Sequence, residues 1–144
     1  MVPDFPRELQ ELEEWFATYG ADRLPGLLGL LVVDLGHGRC TMRMEVERKH
    51  LASNGYLHAA AVVALADTAA GYGCVASLPP SANGFTTIEL KSNHLASVTN
   101  GELVAKATMV HGGRTTQVWD AVVTASSKQV ALFRNTQLLL YPRT

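Results

Sequence analysis

The chain has 144 residues and a formal net charge of −1. That length predicts one domain, residues 1–144, with enough chain to bury a sizeable core. A charge this close to zero gives no general attraction to nucleic acid or to an anionic membrane, so we predict neither as a partner. The two cysteines, Cys40 and Cys74, show neither metal-ligand spacing nor a disulfide framework. They predict reduced core thiols, and since no secretory signal is recognisable we expect a cytoplasmic protein.

Hydrophobic periodicity and turn residues predict a helix, two strands, a long central helix and four further strands. In chain order these elements span residues 6–18, 27–34, 39–47, 57–77, 86–95, 102–111, 114–125 and 128–141. The pairs Pro25-Gly26, Asn100-Gly101 and Gly112-Gly113 are typical of turns. Short turns favour antiparallel hairpins, so the predicted class is α+β, with one antiparallel sheet wrapped around the central helix. Residues 1–22 would form a short N-terminal helical arm and residues 26–141 the core.

Asp67 is the one charged residue in the apolar, alanine-rich central helix. A helix that is apolar nearly all round is buried on most sides. An unpaired carboxylate there costs on the order of several kcal/mol or takes up a proton. A chain that keeps such a residue either satisfies it structurally or uses it for chemistry. The residues just upstream, Asn54-Gly55-Tyr56-Leu57-His58, favour chemistry.

These residues resemble a known family. The motif Gly55-Tyr56-Leu57-His58, followed by an apolar helix with Leu65-Ala66-Asp67-Thr68, resembles the hotdog-fold acyl-CoA thioesterases, and most closely their PaaI-type branch. Residues 86–91 resemble the strand that follows in that family, and Gly113-Arg114-Thr115 resembles its later hairpin. The resemblance extends over roughly residues 26–140.

Two positions depart from the family pattern. The family has His-Gly-Gly at the helix start, and this chain has His58-Ala59-Ala60. The family also has an asparagine six residues before the histidine, where this chain has Ala52. The nearby Asn54 offers an amide, although from a different backbone position.

The resemblance implies hydrolysis of an acyl-CoA thioester to a free acid and coenzyme A, with no metal and no cofactor besides the coenzyme A of the substrate. It implies that Asp67 acts as general base or nucleophile, and the residues do not choose between these roles. The Ala59 backbone N–H, at the helix start, would stabilise the oxyanion. Thr87 would position the attacking water, or it is simply a strand residue. His58 is expected to take part in catalysis or to orient the helix start, and Asn54 to assist near the carbonyl or to form a turn.

The resemblance also implies substrate contacts at Gly55, Ala60 and Thr68. Arg114 is expected to meet a coenzyme A phosphate or to be an ordinary exposed hairpin residue. In the implied arrangement the site lies between two subunits, because Ala59 of one faces Asp67 of the other. An open edge strand would support such pairing, so we predict a dimer or a dimer of dimers.

Two other functions fit the same fold. The first is a non-catalytic acyl-CoA-binding module, suggested by the two departures from the family pattern. The second is a dehydratase or hydratase in which His58 and Asp67 act as a pair. These residues lie nine positions apart on one helix, so they would meet only across subunits.

Overall fold

Six antiparallel strands wrap around one long helix in the computed structural model, which describes residues 4–143. The helices are α1 (Leu9–Gly20), α2 (Leu24–Leu27) and α3 (Ala59–Ala76), with a 3₁₀ turn at Arg48–His50. The strands are β1 (Leu31–Gly36), β2 (Arg39–Glu45), β3 (Gly84–His94), β4 (Glu102–Gly112), β5 (Thr116–Ala125) and β6 (Lys128–Leu140). They lie in the order β1-β2-β4-β5-β6-β3, and each neighbouring pair is antiparallel. This is the hotdog fold, as predicted.

The core lies between α3 and the concave face of the sheet. On β2, Cys40, Met42 and Met44 are buried at alternate positions, as the period-two pattern predicts. Burial raises the pKa of Cys40 to about 12 and that of Cys74 to about 12 as well. Both thiols are therefore protonated at neutral pH, and both are the buried, unpaired cysteines that the sequence predicts. Trp119 of β5 is fully buried in the same core.

The segment before β2 differs from the sequence prediction. A strand is predicted over 27–34, but β1 begins only at Leu31, and Leu24–Leu27 forms the short helix α2. The Pro25-Gly26 pair lies inside this helix because the fixed φ of proline suits a first helical turn. A short apolar run does not distinguish a helical turn from a strand by periodicity, so the prediction was wrong here.

The other boundaries agree with the predictions or differ from them by at most three residues. Helix α1 begins at Leu9 and includes Gly20, while α3 begins at Ala59 and ends before Pro79-Pro80 as expected. By length and composition α3 alone among the helices of residues 4–143 could cross a membrane. In this structure it is the core helix of the hotdog fold, surrounded by the sheet.

Strands β1 and β3 form the two edges of the sheet. Among residues 4–143, β3 pairs with β6 alone. Its side chains Ile88 and Leu90 are exposed although they are apolar. The β3 edge therefore offers both unpaired backbone groups and apolar surface to another chain.

Candidate active site

The loop before α3 and the first turn of α3 surround a groove of about 470 Å³, which we call the helix-start groove. Its lining residues are Ala52, Asn54, Tyr56, Leu57, His58, Ala59 and Ser97. Three residues predicted for the site are therefore brought together: Asn54, His58 and Ala59. Ala52, which stands where the family has asparagine, lines the same groove.

His58 is the N-terminal cap of α3. Its backbone is extended, and its Nδ1 accepts a hydrogen bond from the Ala60 N–H at 2.9 Å. In the neutral ring the proton is consequently assigned to Nε2. This hydrogen bond is the one that the helix-orienting alternative requires, and a catalytic role for His58 stays a prediction. The Ala59 N–H, in contrast, donates to no acceptor within residues 4–143, so this amide is an open donor at the positive end of the helix dipole.

Asn54 and Gly55 shape the loop beside the groove. Asn54 Oδ1 accepts a hydrogen bond from the Tyr56 N–H at 3.1 Å, which forms an Asx turn. Gly55 has a φ of +85°, a conformation that glycine adopts without strain. This turn accounts for Asn54 Oδ1, and assistance near the carbonyl stays a prediction, while Gly55 contributes backbone geometry.

The sequence pattern assigns no role to His50. In the structure its hydrogen bonds connect the loop before α3 to the segment before β1. It is buried, its Nδ1 accepts a hydrogen bond from the Glu47 N–H at 2.8 Å, and its Nε2 lies 2.8 Å from the Leu28 carbonyl oxygen. Its own carbonyl accepts the His58 N–H at 2.9 Å. Because two of these partners are distant in sequence, no local spacing would have revealed the role.

The Asp67 carboxylate is half-buried and only partly satisfied. Its Oδ1 accepts a hydrogen bond from Asn135 Nδ2 at 3.0 Å. Within residues 4–143 its Oδ2 accepts no side-chain hydrogen bond, and no cationic side chain forms an ion pair with it. Burial raises the pKa of Asp67 above its ordinary value, and the Asn135 hydrogen bond offsets part of that rise. Asn135 therefore fixes one carboxylate oxygen, while the other accepts no side-chain hydrogen bond in the described part of the chain.

Two buried amides of β6 extend this polar patch. Asn135 and Gln137 are both fully buried, and Gln137 Oε1 accepts a hydrogen bond from Thr87 Oγ1 at 2.7 Å. Asn135 Oδ1 and Gln137 Nε2 have no hydrogen-bond partner in the part of the chain described. Buried polar atoms of this kind cost free energy unless a water or a ligand satisfies them. We call Asp67, Thr87, Asn135 and Gln137 the carboxylate cluster.

The sequence analysis missed Asn135 and Gln137, although a signal for them exists. Residues 133, 135, 137 and 139 share one face of a strand by their period of two. Phe133 and Leu139 mark that face as the buried one. Two amides between them are buried polar residues, which are a stronger indication of function than the apolar pattern around them.

The predicted site residues therefore fall into two groups within one chain. Ala59 lies eight residues before Asp67 on α3, so a rise of 1.5 Å per residue separates them by about 12 Å along the helix axis. A single thioester carbonyl cannot reach both groups in the same chain. The structure brings Thr87 close to Asp67 through neighbouring residues of β6, and it keeps Asn54 and His58 with Ala59.

None of the four predicted substrate contacts lines the helix-start groove, although Gly55 belongs to the loop beside it. The Ala60 N–H is occupied by the His58 cap. Thr68 is half-buried beside Asp67 on α3. Arg114 is exposed at the hairpin between β4 and β5, where its carbonyl accepts a hydrogen bond from the Tyr141 hydroxyl.

Comparisons with known proteins identify the family and the fold. Residues 54–132 match the family model of the thioesterase superfamily. A 1,4-dihydroxy-2-naphthoyl-CoA hydrolase from Listeria monocytogenes is 34% identical over 103 residues, which cover 72% of this chain and 83% of that protein. A mutant of thioesterase PA1618 from Pseudomonas aeruginosa superposes with a TM-score of 0.84 at 26% identity, covering 90% of this chain and 94% of the other. The PaaI protein from the phenylacetic acid degradation operon of E. coli gives a TM-score of 0.78 at 26% identity, covering 88% and 90% respectively.

These matches define the class of protein as a hydrolytic enzyme of hotdog fold. The chain belongs to the thioesterase superfamily, and its resemblance to the PaaI-type branch is confirmed.

Proposed function

We propose that this enzyme hydrolyses an acyl-CoA thioester to a free acid and coenzyme A. The observation that carries the proposal is the Asp67 carboxylate, held by Asn135 at one oxygen and open at the other inside an apolar helix. Such a group is a destabilising element that a purely structural helix has no reason to keep. The Listeria relative, whose name specifies hydrolysis of a CoA thioester, supports the same substrate class.

In this proposal Asp67 acts on the carbonyl carbon and Ala59 on the carbonyl oxygen. As a general base, Asp67 takes a proton from water as the water oxygen bonds to the carbonyl carbon. The carbon–sulfur bond then breaks, and the departing thiolate takes up that proton. As a nucleophile, Asp67 would bond to the carbonyl carbon and expel the thiolate, which leaves an anhydride. Water would then hydrolyse the anhydride to the free acid and the Asp67 carboxylate, and one proton of that water passes to the thiolate. In both routes the Ala59 N–H donates to the oxyanion, a contact worth roughly 10²–10³ in kcat.

We infer that two copies of the chain complete each site. The separation of about 12 Å along α3 keeps Ala59 and Asp67 of one chain apart. The β3 edge, one of the two edges of the sheet, offers exposed Ile88 and Leu90 for pairing with a second copy. Pairing there would extend the sheet and bury the apolar side chains. Ala59 of one subunit would then face Asp67 of the other, with Arg114 available to a coenzyme A phosphate.

The Asp67→Asn variant tests the role of the carboxylate. A raised pKa means that the folded state binds the proton more tightly than the unfolded state, so the ionised carboxylate lowers stability as the pH rises through that pKa. Asp67→Asn is therefore expected to keep or raise the Tm at neutral pH. It should lower kcat by roughly 10²–10⁴, measured as thiol release from a panel of acyl-CoAs. Asp34→Asn, which changes an exposed carboxylate on β1, is the matched control and should retain activity.

Mixing two inactive variants tests whether the sites are shared. Ala59→Pro removes the donor N–H at a helix position where proline is tolerated. After dissociation and reassociation with Asp67→Asn, a mixed dimer would have one site with both groups intact, so activity should return. Full turnover by Asp67→Asn would exclude the carboxylate from the mechanism, and absence of recovery in the mixture would contradict shared sites. Tight acyl-CoA binding without thiol release would instead indicate a binding module.

A further inference from the structure

The two buried amides of β6 hold two different polar side chains of the carboxylate cluster. Residues 135 and 137 lie two apart on the strand, so both side chains face the core, about 7 Å apart along β6. Asn135 Nδ2 donates to Asp67 Oδ1 at 3.0 Å, whereas Gln137 Oε1 accepts from Thr87 Oγ1 at 2.7 Å. The cluster therefore consists of two hydrogen-bonded pairs, side by side on one face of the sheet.

The direction of the second hydrogen bond limits what Thr87 can do. A hydroxyl has one proton to donate and two lone pairs that accept. Because the proton of Thr87 is donated to Gln137, the Thr87 oxygen can only accept from a further group. An ionised Asp67 is also only an acceptor, and its Oδ2 accepts no side-chain hydrogen bond within residues 4–143. Thr87 Oγ1 and Asp67 Oδ2 are thus two acceptors that suit a molecule with two protons to donate, such as water.

A β-bulge keeps a second carboxylate away from this cluster. Thr87 pairs with Gln137 and Glu89 pairs with Thr136, so the register shifts at Ile88. Strict alternation would place Thr87 and Glu89 on the same face of β3. With the bulge, Glu89 shares the face of Thr136 instead and is exposed. Bulges next to active sites often redirect side chains in this way, and here the bulge avoids a like charge that would favour protonation of Asp67.

The energetics of Gln137 also differ from those of a structural amide. Gln137 is fully buried, yet its Nε2 has no hydrogen-bond partner in the described part of the chain. A buried polar group without a partner costs free energy, so an apolar side chain of the same length would be no worse for stability. Gln117 of β5 offers the contrast, because it is equally buried but donates to the Ser77 carbonyl at 3.0 Å and accepts from Trp119 at 2.8 Å.

We propose that Gln137 is a positioning residue for the attacking water, because it fixes the Thr87 hydroxyl as an acceptor. This inference rests on the proposed function and takes its general-base route. One proton of the water passes to Asp67 Oδ2 as the water oxygen bonds to the carbonyl carbon, and that proton then goes to the departing thiolate. The other proton stays on the oxygen and is hydrogen-bonded to Thr87 Oγ1. With both protons held, a lone pair of the water is directed at the carbon.

The Gln137→Met variant tests this role, with Gln117→Met as the matched control. Gln137→Met removes the acceptor but keeps the length of the side chain. It should lower kcat for thiol release by about tenfold, the value of one well-placed hydrogen bond, while the Tm stays the same or rises. Gln117→Met should show the reverse, with an unchanged kcat and a Tm lower by about 5 °C or more. A thioether analogue of the best substrate, with CH₂ in place of the carbonyl, should bind wild type and Gln137→Met with the same Kd.

A double-mutant cycle shows whether Gln137 acts through Thr87. Thr87→Val should also lower kcat by about tenfold, while Thr87→Ser, which keeps the hydroxyl, should retain most of it. Adding Gln137→Met to Thr87→Val should cost nothing further, because both changes remove the same contact to the water. Thr87 is half-buried at the sheet edge, so its variants test the inference even if Gln137→Met does not fold.

The outcomes separate this inference from the proposed function. A wild-type kcat in Gln137→Met or in Thr87→Val, or a double variant that loses about a hundredfold, would overturn the positioning role. The proposed function would still stand in these cases if Asp67→Asn is inactive. Absence of turnover by wild type on every acyl-CoA of the panel would overturn both.

Discussion

Gly73→Ala tests the packing that holds α3, and hence Asp67, against the sheet. A Cβ atom added at Gly73 would lie 2.6 Å from two atoms of the Trp119 ring. Trp119 cannot easily move, because it is fully buried and its Nε1 donates a hydrogen bond to Gln117 Oε1 at 2.8 Å. Overpacking costs about 1–3 kcal/mol, and a ring that cannot move favours the upper part of that range, about 2–3 kcal/mol. The better helix propensity of alanine returns about 1 kcal/mol. We expect the free energy of unfolding to fall by about 1–2 kcal/mol in net terms.

Gly71→Ala is the matched control, because it makes the same change one half-turn away. The added Cβ would lie 3.1 Å from Phe85 Cζ, the far end of a half-buried side chain that can shift. The propensity gain should then cancel or exceed the steric cost. Thermal unfolding at one fixed protein concentration should show a Tm lower by about 3–8 °C for Gly73→Ala and little change for Gly71→Ala. Equal Tm values for the two variants would refute the argument from the Trp119 contact.

The remaining predictions concern the carboxylate cluster and the helix-start groove. Asn135→Leu removes the donor that favours the ionised form of Asp67, so the pKa of Asp67 should rise further and the acid limb of kcat/KM should move to higher pH. Activity should approach that of wild type in alkaline buffer, and an unmoved acid limb would show that Asn135 does not act on the working carboxylate. Ala52→Asn places an amide in the helix-start groove beside Ala59, and a second donor should raise kcat by up to about tenfold. A steady-state assay in which kcat stays the same or falls would place Ala52 away from the reacting carbonyl.

The sequence by itself determined the fold class and the residues at the helix start. The period of two in β2 and the alanine-rich run of α3 are local patterns, so they predict strand and helix without knowledge of the partners. Turn residues such as Gly112-Gly113 separate the strands in the same local way. The order of helix, strands and turns, together with the motif that ends at Asp67, was sufficient for the family resemblance.

Only the tertiary structure decided how those residues are used. Asn135 meets Asp67 across 68 residues of sequence, because β6 inserts between β5 and β3. A cavity of about 520 Å³ likewise forms where α1 folds back onto α3, and Trp15, Tyr72 and Phe85 line it from three distant segments. Helix α2 was missed because its short apolar run is compatible with either a strand or a helical turn. Contacts between distant segments produce no periodic pattern in the sequence, since they depend on how whole helices and strands pack against one another.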